Sequence, residues 1–105
     1  MELAEKMRTG RPVGGWLSLP SPSAAELLAG QGFDFVAVDT EHAPSSPETV
    51  ENAVRAVAAA PGEAEALVRV AENDPVRIKR ALDAGPAGLM APRIDDAADA
   101  RELVR

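Results

Sequence analysis

The sequence predicts an α/β fold on a parallel sheet, and three observations carry that expectation. Four short apolar runs alternate with four helical patterns, the signature of successive strand–helix units. Helix starts are marked by Ser21-Pro22, Ser46-Pro47 and Asp74-Pro75, each a capping oxygen followed by proline at the first helical position. Helix ends are marked by Gly30/Gly32, Pro61-Gly62 and Gly85-Pro86.

Taken in order, the chain opens on a short leading helix in a segment of mixed charge, MELAEKMRTGR. The first strand run, residues 13–19, is the weakest because Gly14 and Gly15 fall within it. The runs at 33–38 and 66–70 carry the β-branched residues of strands buried on both faces, and residues 87–91 supply a fourth strand. Ser23-x-x-Glu26 and Ser45-x-x-Glu48 also match the capping-box spacing, which allows two helix starts to shift by a residue or two. Behind the second of the three proline-marked starts, Val50, Ala53, Val54 and Val57 form one apolar stripe, and behind the third, Ile78, Ala81 and Leu82 form another, each expected to face the sheet. Residues 95–105 run through Ala98, Leu103 and Val104 in helical register with no glycine, proline or polar tail, so the last helix reads as cut. Residues 1–105 are therefore expected to form a single, partial domain.

Composition narrows the function classes. With 11 Lys+Arg against 17 Asp+Glu the net charge is −6, which makes phosphate backbones and anionic lipid poor partners. The absence of cysteine excludes a disulfide scaffold, a zinc ribbon and a thiol nucleophile. No continuous apolar stretch resembles a signal peptide or a membrane span, so a cytoplasmic location is expected. Of the 46% of residues that are hydrophobic, 21 are alanine, which buries little area, so an isolated fold of this length is marginal and something else is expected to complete the core.

In parallel α/β folds, function gathers at the carboxyl ends of the strands. After the second run comes Asp39-Thr40-Glu41-His42-Ala43-Pro44, two carboxylates and the single histidine of the chain, where a carboxylate can orient an imidazole that acts as a base near neutral pH. A solvated loop whose acids cap the next helix is the bland alternative. Arg69, inside the third run, needs an anion: either a substrate carboxylate or developing enolate oxygen, or an internal partner in Asp39 or Glu41. Trp16 is the one large aromatic with a polar handle and a candidate pocket wall, with core packing as its commoner role. Asn73-Asp74-Pro75 is explained by helix capping, and Pro92-Arg93 offers a weak second cation at the same rim. Phosphate-binding glycine loops, a G-x-S-x-G elbow and a His-x-x-x-His pair are absent.

The order Gly15-Trp16, Ala25-Glu26-Leu27, Gly32-Phe33-Asp34, Asp39-Thr40-Glu41-His42-Ala43-Pro44, Val68-Arg69 and Asn73-Asp74-Pro75 with Ile78-Lys79 resembles the HpcH/HpaI-type class II pyruvate-dependent aldolases. The resemblance implies the amino-terminal half of a TIM barrel, about four strand–helix units after a short helix. It implies a carbon–carbon lyase that cleaves or forms 4-hydroxy-2-oxo acids through a pyruvate enolate. It casts His42 as the acid/base residue acting through metal-bound water, Asp39 as its orienting carboxylate, and Arg69 as the cation that stabilises the pyruvate oxygen, with Arg69 and Trp16 binding substrate. The divalent metal, Mg²⁺, Mn²⁺ or Co²⁺, is expected to take its ligands from later strands, so no metal ligand is assigned in this chain. The implied partners are an oxo acid and an aldehyde, in a homo-oligomer.

Because a whole barrel takes about 250 residues, the 105-residue chain is expected to be inactive alone. A non-catalytic half-barrel that pairs with itself or with another chain through its open sheet edges is the alternative, and a small flavodoxin-like domain is a weaker one.

Overall fold

The computed structural model describes residues 3–19, 21–40, 46–70, 75–91 and 97–104. The elements run α1 (Leu3–Thr9), β1 (Gly14–Leu17), α2 (Pro22–Ala29), β2 (Phe35–Asp39), α3 (Pro47–Ala59), β3 (Glu65–Arg69), α4 (Pro75–Asp83), β4 (Gly88–Met90) and α5 (Ala97–Val104). All four strands are parallel and lie in the order β1-β2-β3-β4. This monotonic order is that of a half-barrel. A flavodoxin-like sheet reverses direction after its first strand, so the order removes that alternative.

Local chemistry sets the elements. Ser21 and Ser46 both cap with extended backbone, their hydroxyls accepting from the Ala24 and Thr49 amides at 3.2 Å, so the serine–proline starts are used. Asp74 and Ser45 lie outside the described residues. Gly32, Gly62 and Gly85 hold φ of 93°, 109° and 81°, the left-handed region that glycine occupies without steric cost, at the turns leading into β2, β3 and β4. Gly30, also expected as a stop, has φ −81° and closes α2 through its N–H instead.

Strand register divides the sheet into two faces. Leu17, Val36, Val38, Ala66 and Val68 join Val50, Ala53, Val54 and Val57 of α3 and Ala25 and Ala29 of α2 in one buried core. Trp16, Ala37, Asp39, Leu67 and Arg69 belong to the opposite face. The second predicted stripe is only half realised: Ala81 is buried and Ile78 half-buried, but Leu82 is 53% exposed, one position too far round α4 to reach the sheet.

Both glycines of β1 are fixed by packing. A Cβ on Gly14 would lie 2.1 Å from the Phe35 ring, and one on Gly15 would lie 3.0 Å from Leu28, so the two residues that weaken the sequence signal let β1 lie against its neighbours. At the amino end of the sheet, α1 is tied down by Lys6, whose Nζ lies 3.1 Å from Asp34 Oδ1 and 3.6 Å from Glu63 Oε2. Asp34 also accepts the Val13 N–H at 2.9 Å.

Candidate functional site

At the carboxyl end, register places Asp39 of β2 beside Arg69 of β3, and Arg69 beside Met90 of β4. Asp39 is the last residue of β2 and only 4% exposed, where the sequence suggested the start of a loop. Its side chain shares a face with the β1 position of Trp16, two residues along the pleat. The Trp16 indole N–H donates to Asp39 Oδ2 at 3.2 Å, and the Arg69 guanidinium stands 3.9 Å from the same oxygen. Arg69 also lies over the Trp16 ring, 5.3 Å from its centroid, within range of a cation–π interaction.

Trp16 is 46% exposed, which corrects the expectation that it packs in the core. Period-two alternation turns it away from α2 and toward Asp39, and Leu17 takes the core position. The Asp39 alternative for the anion that Arg69 requires is realised, and the Arg69 side chain keeps about a quarter of its surface in solvent. Thr40, not singled out in the sequence, locks this end of the sheet: its N–H donates to the Arg69 carbonyl at 3.0 Å, and its hydroxyl donates to the same oxygen. The signal that marks it is a hydroxyl directly after a strand-end acid.

His42 and Glu41 lie outside the described residues, as do Asn73, Pro92 and Arg93. Asp39, Trp16 and Arg69 are thus brought together. Among the described residues no group of three or more histidine, cysteine, aspartate or glutamate side chains converges as a metal site requires. Asp39 has an indole N–H and a guanidinium against its carboxylate, surroundings that suit an anion rather than a cation ligand. The described residues therefore do not themselves build a divalent metal site. No described helix is long and apolar enough to cross a membrane.

A parallel sheet whose four strands follow one another in chain order, with helices between them, defines the class: half of a βα-barrel fold. Residues 13–105 match the model of the HpcH/HpaI aldolase/citrate lyase family, and the chain belongs to that family. It is 46% identical over 100 residues to a 4-hydroxy-2-oxo-heptane-1,7-dioate aldolase of Escherichia coli, a match that takes in 94% of this chain and 37% of the relative. A crystal structure of an HpcH/HpaI aldolase/citrate lyase family protein from Burkholderia cenocepacia J2315 superposes with TM-score 0.91 at 46% identity, over 97% of this chain and 40% of that one. The citrate synthase SbnG superposes with TM-score 0.87 at 33% identity, over 98% and 42%. The chain thus spans well under half the length of each of these three proteins.

Proposed function

We propose that this chain supplies the amino-terminal part of the active site of an aldolase, a carbon–carbon lyase that cleaves or forms 4-hydroxy-2-oxo acids through a pyruvate enolate. The observation that carries the reading is the Trp16–Asp39–Arg69 cluster at the carboxyl ends of three adjoining strands, in a chain similar to a named aldolase. In this reading Arg69 holds the oxo-acid oxygen as enolate charge develops, with its guanidinium fixed by Asp39 and by the Trp16 ring over which it lies. Trp16 walls the same pocket. His42 moves the proton, and Asp39 orients it. The divalent metal of the complete enzyme, Mg²⁺, Mn²⁺ or Co²⁺, takes its ligands from outside this chain. The partners are an oxo acid and an aldehyde, the assembly is a homo-oligomer, and the location is the cytoplasm.

The test joins this chain to the remaining length of the Escherichia coli relative, making a whole barrel, and follows pyruvate release from a 4-hydroxy-2-oxo acid. The joined barrel is expected to turn over, its His42→Ala form to lose cleavage, and the 105-residue chain alone to show none. Undiminished turnover by the His42→Ala barrel would sink the assignment.

A further inference from the structure

The peptide unit that follows Arg69 is held from both sides. Its carbonyl takes two donors from the chain leaving β2, the Thr40 N–H at 3.0 Å and the Thr40 hydroxyl, and its N–H, that of Val70, donates to the Met90 carbonyl at the end of β4, also at 3.0 Å. β3 is an inner strand with a neighbour on each side, so the arrangement depends on no open edge of the sheet.

The second donor from Thr40 is the part that the sheet does not require. One ladder bond satisfies a backbone carbonyl, and its other lone pair ordinarily faces water. Elsewhere the ladder continues past the strands on single backbone bonds: Val13 O accepts from Asp34, Asp34 O from Glu65, and Ala66 O from Ala87. Among the described residues, only the Arg69 carbonyl in this series also takes a side-chain donor. The doubled bond thus falls on the residue whose guanidinium reaches Asp39 and lies over the Trp16 ring.

A second donor arriving from a different direction removes a freedom that a single bond leaves. One N–H···O bond allows the peptide plane to tilt about the bond axis, and a tilt at Arg69 is multiplied at the tip of its long side chain. A productive site holds its groups to about 0.5 Å and 10–20°, and a misplacement of about 1 Å costs on the order of 100-fold in rate. Threonine suits the task, because its branched β-carbon restricts the rotation that would carry the hydroxyl away. We infer that the Thr40 hydroxyl is a positioning group for Arg69, fixing the peptide plane from which the guanidinium is aimed. It acts through Arg69 and not on a reacting atom. Its effect on turnover rests on the aldolase reading, whereas its effect on the placement of Arg69 does not.

The test compares Thr40→Val, which keeps the N–H and the shape of the side chain but removes the hydroxyl, with Thr40→Ser, which keeps the hydroxyl. In the 105-residue chain the reporter is Trp16, the single tryptophan, whose quenching by acrylamide reads whether the guanidinium still lies over the ring. Thr40→Val is expected to raise the quenching toward that of Arg69→Lys, and Thr40→Ser to keep the wild-type value. In the barrel joined to the remaining length of the Escherichia coli relative, Thr40→Val is expected to lower kcat for pyruvate release about tenfold with KM within about twofold, and Thr40→Ser to recover most of kcat. Unchanged quenching in Thr40→Val overturns the inference. So does a lowered melting point with kcat unchanged, which would make the hydroxyl a tie of the sheet alone, and so does a fall in kcat that serine does not recover. A wild-type joined barrel that releases no pyruvate sinks the aldolase reading instead, and the quenching comparison then decides the placement of Arg69 by itself. Should Thr40→Val fail to fold, the wild-type chain decides: a Thr40 hydroxyl proton protected from exchange and visible by NMR supports the clamp, and one lost to rapid exchange with water overturns it.

Discussion

The two ends of the sheet use charge differently. At the amino end, Asp34 and Glu63 meet Lys6, and Asp34 and Glu65 accept the backbone N–H groups of Val13 and Leu3 at 2.9 and 3.4 Å. These contacts join α1 and the segment before β1 to the starts of β2 and β3, which is work of closure. At the carboxyl end the carboxylate is sunk to 4% exposure, and its cation comes from the adjoining strand, stacked over an indole. A buried acid beside a partly exposed arginine is costly to assemble for stability alone, because desolvation offsets much of the attraction. The comparison teaches that the amino end resists unfolding and the carboxyl end holds a guanidinium in one orientation.

The sharpest way to break this comparison is Arg69→Lys. Charge is retained, but the planar fork and its stacking on Trp16 are lost, so the joined barrel is expected to lose about 100-fold in cleavage rate. Thermal melting of the 105-residue variant is expected to move little by comparison. A fully active Arg69→Lys barrel with a strongly lowered melting point would make the carboxyl-end cluster a structural ion pair like those at the other end.

Asp34→Asn tests the opposite end. The Val13 N–H and Lys6 both favour the ionised carboxylate, the backbone bond most, so the Asp34 pKa lies below its usual value, and Lys6 is raised above its own, chiefly by its bond to Asp34. The Asp34 contribution to stability is complete above the ordinary carboxylate pKa and is lost as pH falls through the depressed one. That from Lys6 is complete below the ordinary lysine pKa and is lost as pH rises through the raised one. Melting midpoints measured from acid to alkaline pH are expected to show an acid limb that Asp34→Asn shrinks, with the cleavage rate of the joined barrel unchanged. A loss of rate with no change in the acid limb would contradict the division between the ends.

The parts of this arrangement that the sequence made legible are the locally encoded ones. Residues 33–38 and 66–70 announce β2 and β3 by their branched apolar runs, and the serines before Pro22 and Pro47 announce α2 and α3. Asp39 and Arg69 stood out as charges at and within the strand runs, with Asp39 one of several possible anions for Arg69, but the choice among them spans thirty positions of sequence and depends on register, which no local pattern reports. Trp16 was left between a pocket wall and the core for a related reason. In a four-residue edge strand interrupted by glycine, alternation is too short to say which face is the core, and only the pairing of Trp16 with Ala37 decides it. The Lys6–Asp34–Glu63 cluster had no sequence signal at all, since each member is an ordinary surface residue until α1 folds under the sheet.

Ser46→Ala is the smallest of these effects and refines the comparison most closely, because Ser46 lies on the carboxyl side of the sheet without belonging to the cluster. It follows β2 and caps α3, accepting the Thr49 N–H at 3.2 Å and meeting the Thr49 hydroxyl at 2.9 Å. Alanine leaves that amide to water and is expected to cost about 1 kcal/mol in urea unfolding, while aspartate in its place, also a good cap, recovers most of it. If position on the carboxyl side alone conferred function, this change would also lower the cleavage rate of the joined barrel. The expected rate is unchanged, because the cap fixes where α3 begins and the buried stripe of Val50, Ala53, Val54 and Val57 fixes where it lies. Function at this end then rests on which side chains share the face of Asp39, and a neighbour bonded to the helix backbone contributes only stability.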